Sequence, residues 1–99
     1  MKLPDLLAVS WRGGTQESWG RVSALSPLGA RLESLEPPVA DRIFLSFSLS
    51  GEVFEAIPCR VAVPERDEDG YWRAALEFLR PQDRRRLREL IARLLLTAR

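Results

Sequence analysis

A chain of 99 residues, 45% hydrophobic and 29% charged, has the composition of one globular domain and is too short to close two cores. Its formal net charge of +1 names no partner. The single cysteine, Cys59, excludes an intramolecular disulfide and fits a reducing compartment, and the lack of histidine removes the usual general base of a nucleophilic site and the commonest zinc ligand. No stretch approaches the ~20 apolar residues of a membrane span. Met1–Asp5 lack the apolar run and cleavage site of a signal peptide, so the expected location is the cytoplasm.

Leu6–Trp11 is a short apolar run suited to a strand, and it stops at the flexible Arg12-Gly13-Gly14. Trp19–Ala24 alternates. Ser26-Pro27-Leu28-Gly29 has the chemistry of a β-turn, with proline presetting φ at its second position and glycine suiting the fourth. Ala30–Ser34 reads as the returning strand, and Glu36-Pro37-Pro38 as a rigid loop. Arg42–Leu49 is the clearest strand: Ile43, Leu45, Phe47 and Leu49 share one face, Ser46 and Ser48 the other. Beyond the turn Ser50-Gly51-Glu52, Val53–Val63 forms a long strand in which Pro58 predicts a bulge or a bend at an edge. Cys59, beside Val61 and Val63, reads as a small core residue.

Residues 65–70 form a polar hairpin loop that lacks the alternating ligands and closing glutamate of a calcium loop. Tyr71–Phe78 is the last strand, with Trp72, Ala74, Leu76 and Phe78 facing in. Pro81 opens a helix whose Leu87, Leu90, Ile91, Leu94 and Leu95 make an amphipathic stripe. The expected architecture is mainly β: one domain over 1–99, with a six-stranded antiparallel barrel at about 5–79 and one C-terminal helix at about 81–98.

Nothing in the pattern supplies catalytic chemistry. There is no phosphate-binding glycine loop ending in Lys-Ser or Lys-Thr, and the carboxylates scatter over wet faces and loops. The expectation is a binding protein without enzymatic activity, metal or required cofactor.

The element order, together with Ser23-Ala24-Leu25-Ser26-Pro27-Leu28-Gly29-Ala30-Arg31-Leu32, resembles the PilZ domain, whose second and third strands are joined by an Asp/Asn-x-Ser-x-x-Gly turn. Ser26 and Gly29 match its serine and glycine, and Ala74-Ala75-Leu76-Glu77-Phe78 followed by a helix looks like the family's closing strand and helix. The resemblance implies a bacterial cytoplasmic signalling module. Many members bind cyclic di-GMP, using an Arg-x-x-x-Arg segment ahead of the first strand to stack on guanine and hold phosphate.

Two departures follow. Met1–Leu6 contain no arginine, and Ala24 stands where the turn has its Asp or Asn. Charged hydrogen bonds of ~1.5–3 kcal/mol each are lost with them. The expectation is an adaptor that binds a bacterial signalling or motility protein, with weak or no affinity for cyclic di-GMP. Its candidate contact residues are Trp11, Trp19 and Tyr71. The alternative is a cyclic di-GMP receptor in which Arg12, Arg21 and Arg31, near Ser26 and Gly29, replace the lost pair. Residues 80–99 carry seven arginines against two acids, which makes Arg84, Arg85 and Arg88 candidate contacts for an acidic protein partner in preference to nucleic acid. Leu96, off the main stripe, leaves oligomeric state open.

Overall fold

A computed structural model describes residues 2–97, and their side chains over 6–96. Seven strands and one helix follow in chain order: β1 (Lys2–Gly13), β2 (Gln16–Ser26), β3 (Gly29–Ser34), β4 (Arg42–Leu49), β5 (Glu52–Val61), β6 (Glu65–Arg66), β7 (Trp72–Phe78) and α1 (Pro81–Thr97). The sheet runs β3-β2-β1-β4-β5-β7-β6, and β3 also pairs with β7. The additional pairing closes six antiparallel strands into a barrel. β6 is a short extra strand on the stretch of β7 that β5 leaves uncovered.

The barrel and helix match the architecture expected from the sequence; the differences lie at the edges. β1 begins at Lys2 rather than Leu6, and its register against β2 shifts between Lys2 and Leu7. Helix α1 is described as far as Thr97, and Ala98 and Arg99 lie outside the described residues. β5 does carry a bulge, but at Glu55-Ala56 instead of Pro58: Leu45 pairs with Ile57 whereas Phe47 pairs with Phe54. Ala56 takes a φ of 50°, which costs an L-residue about 1–2 kcal/mol. Its N–H donates to Ser46 Oγ at 2.9 Å. Pro58 lies in the interior of the sheet, opposite Phe44, and its carbonyl accepts the Leu79 N–H at 3.1 Å.

Period-2 alternation decides what enters the core. Val9 and Trp11 face inward from β1, Val22 and Leu25 from β2, Ile43 and Leu45 from β4, and Ala74, Leu76 and Phe78 from β7. Phe54 and Phe47 stack with ring centres 4.9 Å apart. Trp72 is only half-buried at the end of its strand.

Helix α1 starts on Pro81, where a missing N–H costs nothing. Its first-turn Asp83 is buried and accepts two hydrogen bonds from Arg80, at 2.7 and 3.2 Å. Leu87, Leu90 and Ile91 are buried in the core and Leu94 packs at its margin, whereas Leu95 is 57% exposed. At 3.6 residues per turn Leu95 lies about 80° around the helix from Leu87, outside the arc that meets the barrel. The predicted stripe was therefore one residue too wide. Arginines fasten the rest of α1. Arg86 lies 4.1 Å from the Phe54 ring centre and donates to the Val53 carbonyl at 3.0 Å and to Glu52 at 3.2 Å. Arg93 reaches the other Glu52 oxygen at 3.1 Å. No helix among the described residues is long and apolar enough to cross a membrane.

Leu87→Ala is predicted to cost about 2–5 kcal/mol in urea denaturation. Leu95→Ala should change stability by no more than about 0.5 kcal/mol.

Candidate functional site

The Ser26–Gly29 turn is where the sequence places residual ligand-binding chemistry. Its hydroxyl is engaged locally: Ser26 Oγ accepts the backbone N–H of Leu28 at 3.2 Å and of Gly29 at 3.3 Å. This is the geometry by which serine stabilises its own turn. Gly29 pairs with Glu77 of β7, and a Cβ added at Gly29 would collide with the Leu76 carbonyl oxygen. The neighbouring Leu28 carbonyl accepts the Phe78 N–H at 2.9 Å. Both motif residues thus serve the closure of the barrel.

An open depression of about 390 Å³ adjoins the turn, lined by Ala24, Ser26, Gly29, Arg31 and Glu77 among others. Arg31 is exposed there, opposite Ala24 on β2 and Ala75 on β7. Arg31 and Glu77 are the charged residues of its lining, and Glu77 also lies 4.0 Å from Arg60 of β5. Ala24 contributes no polar side-chain atom.

The other two candidate arginines go elsewhere. Arg21 pairs with Glu33 at 2.9 Å, and its guanidinium lies 4.0 Å from the ring centre of Tyr71. Arg12 lies 5.6 Å from the Phe44 ring centre and lines a separate depression of about 310 Å³ with Glu17 and Glu55. Arg12 and Arg31 therefore line separate depressions, and Arg21 is turned to Glu33 and Tyr71.

Of the candidate contact aromatics, Trp11 is corrected outright. It is 2% exposed, and its indole N–H donates to Ser34 Oγ at 3.2 Å. It faces inward in phase with Val9, so it presents no side chain to a partner. Tyr71 is half-buried under Arg21. Trp19 is 76% exposed on β2. On α1, Arg84 is tied down, donating to the Phe78 carbonyl at 2.8 Å. Arg85 and Arg88 are exposed and form no ion pair among the described residues.

Sequence reasoning missed a charge ladder. Arg21, Glu33 and Arg73 lie directly opposite one another on β2, β3 and β7. Arg73 is 4.0 Å from Glu33 and 3.2 Å from Asp67. Asp67 in turn accepts the N–H groups of Asp69 and Tyr71, both at 2.9 Å, and so organises the acidic loop as a hairpin turn. The alternation of charge across strands is the signal, but it is readable only once the register is known.

Cys59 is fully buried, and burial, followed by the nearby Asp83 carboxylate, pushes its pKa up to about 12. It is a core residue with none of the thiolate character a nucleophile needs. No cluster of three or more metal-binding side chains occurs among the described residues. No protein-family model matches the chain, and no curated protein matches it.

Two consequences of the Cys59 environment can be measured. Alkylation of native protein at pH 8 should proceed only at the rate of unfolding. Because the folded pKa lies above the unfolded one, this group's contribution is intact below about pH 8.5 and is lost as pH rises toward 12, so stability should fall across that window.

Proposed function

We propose that the protein is a PilZ-like adaptor domain of bacterial cytoplasmic signalling, acting through protein–protein contacts and neither catalysing a reaction nor binding cyclic di-GMP appreciably. The observation that carries this reading is the reassignment of the turn: Ser26 is satisfied within its own loop, and Gly29 accommodates the Leu76 carbonyl. The barrel and C-terminal helix suit the family resemblance, while the chemistry a guanine dinucleotide requires is thin. Arg21 is committed to Glu33, and Arg31 shares its depression with Glu77. Exposed Trp19 and the unpaired Arg85 and Arg88 leave surface features suited to a protein partner, since aromatic and arginine side chains dominate such contacts.

Calorimetric titration with cyclic di-GMP at low and physiological salt tests the reading. The expected result is no heat and no thermal stabilisation at millimolar nucleotide. Micromolar binding of one or two nucleotides per chain would contradict it and favour a receptor with a non-standard site. Arg31→Ala would then be the decisive variant, because Arg31 is the exposed arginine beside the turn.

A further inference from the structure

The outward side of the sheet formed by β2, β1, β4 and β5 gathers aromatic and charged side chains that are exposed to solvent. Residues directly opposite one another on antiparallel strands share a face, and so do residues two apart along one strand. Trp19, Ser10 and Ser46 stand in one row across β2, β1 and β4, and Glu17, Arg12 and Phe44 stand in the next. Trp19 is 76% exposed and Phe44 43%. Elsewhere on the wall, opposed charges pair, as Arg21, Glu33 and Arg73 do. Arg12 and Glu17 are also directly opposite, yet Arg12, Glu17 and Glu55 form no ion pair among the described residues.

Strand β5 adds to this face through its bulge. Glu55 and Ala56 stand opposite Ser46, where a regular ladder would place one residue. Ala56 holds a φ of 50°, a strained conformation of the kind that clusters at functional sites. Ser46 Oγ accepts the Ala56 N–H, so its own O–H stays available to donate. A depression of about 310 Å³ lined by Arg12, Glu17 and Phe44 and one of about 500 Å³ lined by Trp19 have Ser10, Ser46 and Glu55 in common. The two therefore adjoin, and each is of a size that holds a small ligand.

We propose that this face binds a neutral oligosaccharide, with Trp19 and Phe44 against its rings and Arg12, Glu17 and Glu55 on its hydroxyls. A pyranose ring presents weakly positive C–H groups on its face, which match the negative face of an aromatic ring. Its hydroxyls project around the rim, and each both donates and accepts. Vicinal hydroxyl pairs can therefore meet both signs of charge at once, donating to the two carboxylates and accepting from the guanidinium. A ligand of single charge would match one sign and oppose the other. Lying two strands across and two residues along, Trp19 and Phe44 are about 12 Å apart at their α-carbons, the reach of roughly two linked rings. The inference goes beyond the adaptor reading and does not rest on it, since Arg85 and Arg88 on α1 stay open to a protein partner.

The test is titration of the intact chain with soluble neutral oligosaccharides of glucose, mannose and xylose, read by calorimetry and by tryptophan fluorescence. At least one of them should bind at micromolar to millimolar concentration and shift the emission, because Trp19 is exposed whereas Trp11 is buried and Trp72 half-buried. Trp19→Ala should weaken that binding by about tenfold or more and remove the emission change. Glu55→Gln, which keeps the shape and removes the charge, should weaken it severalfold. Both side chains are exposed, so both variants should keep the wild-type denaturation midpoint. Leu95→Ala, on the helix, should leave binding unchanged. Absence of binding by all three sugars, binding indifferent to Trp19→Ala, or tighter binding of a sulfated oligosaccharide than of its neutral counterpart overturns the proposal. So does a random-library peptide that displaces no sugar and alone shows dependence on Trp19, which would make the face a protein contact.

Discussion

Closing six strands into a ring requires the backbones of β3 and β7 to meet, and at Gly29 they meet with no room for a side chain. That contact lets β7 run along β3 from Gly29–Glu77 to Ser34–Trp72, which brings Glu33 opposite Arg73 and buries Leu32 and Leu76 on the inner side. The chain leaves β7 at Phe78, beside the same turn, and Pro81 starts the helix that covers the barrel's end. Ser26 holds the turn that delivers Gly29 to this position. A short motif that suggests ligand binding in sequence thus serves as the hinge point of the architecture.

The fold was legible because its signals are local. Strict alternation in Arg42–Leu49, the Ser-Pro-Leu-Gly turn and Pro81 ahead of a leucine stripe each specify an element without reference to the rest. What stayed hidden depended on register. Trp11 could not be placed until β1 was known to keep Val9 and Trp11 in phase on the inner face. Arg21 stands as a candidate nucleotide ligand in the sequence because its partners Glu33 and Tyr71 are 12 and 50 positions further along the chain. Leu95 looked like a core residue because the i, i+8 rule ignores how narrow an arc of α1 meets the barrel. The bulge at Ala56 was displaced from Pro58 because the side chain that supports it, Ser46, belongs to another strand.

The arginines divide the surface into structural and unclaimed parts. Arg80, Arg84, Arg86 and Arg93 bind the helix to itself and to the barrel, through Asp83, Phe78, Val53 and Glu52. The positive charge of residues 80–99 is therefore mostly a fastening, and only Arg85 and Arg88 among the described arginines there remain open to a partner. The apolar surface divides similarly: Trp19 and Val53 are exposed on the barrel wall, while Leu95 and Leu96 are exposed on the helix. The Ser26–Gly29 turn, by contrast, is engaged in closing the barrel.

The most direct test of that central claim is chemical denaturation of Gly29→Ala with no nucleotide present. If the glycine is retained for closure, the added methyl must force β3 and β7 apart, and stability should drop by about 2–3 kcal/mol. An unchanged denaturation midpoint would contradict the account, because the glycine would then have no structural duty and its place in the turn would again need a ligand to explain it.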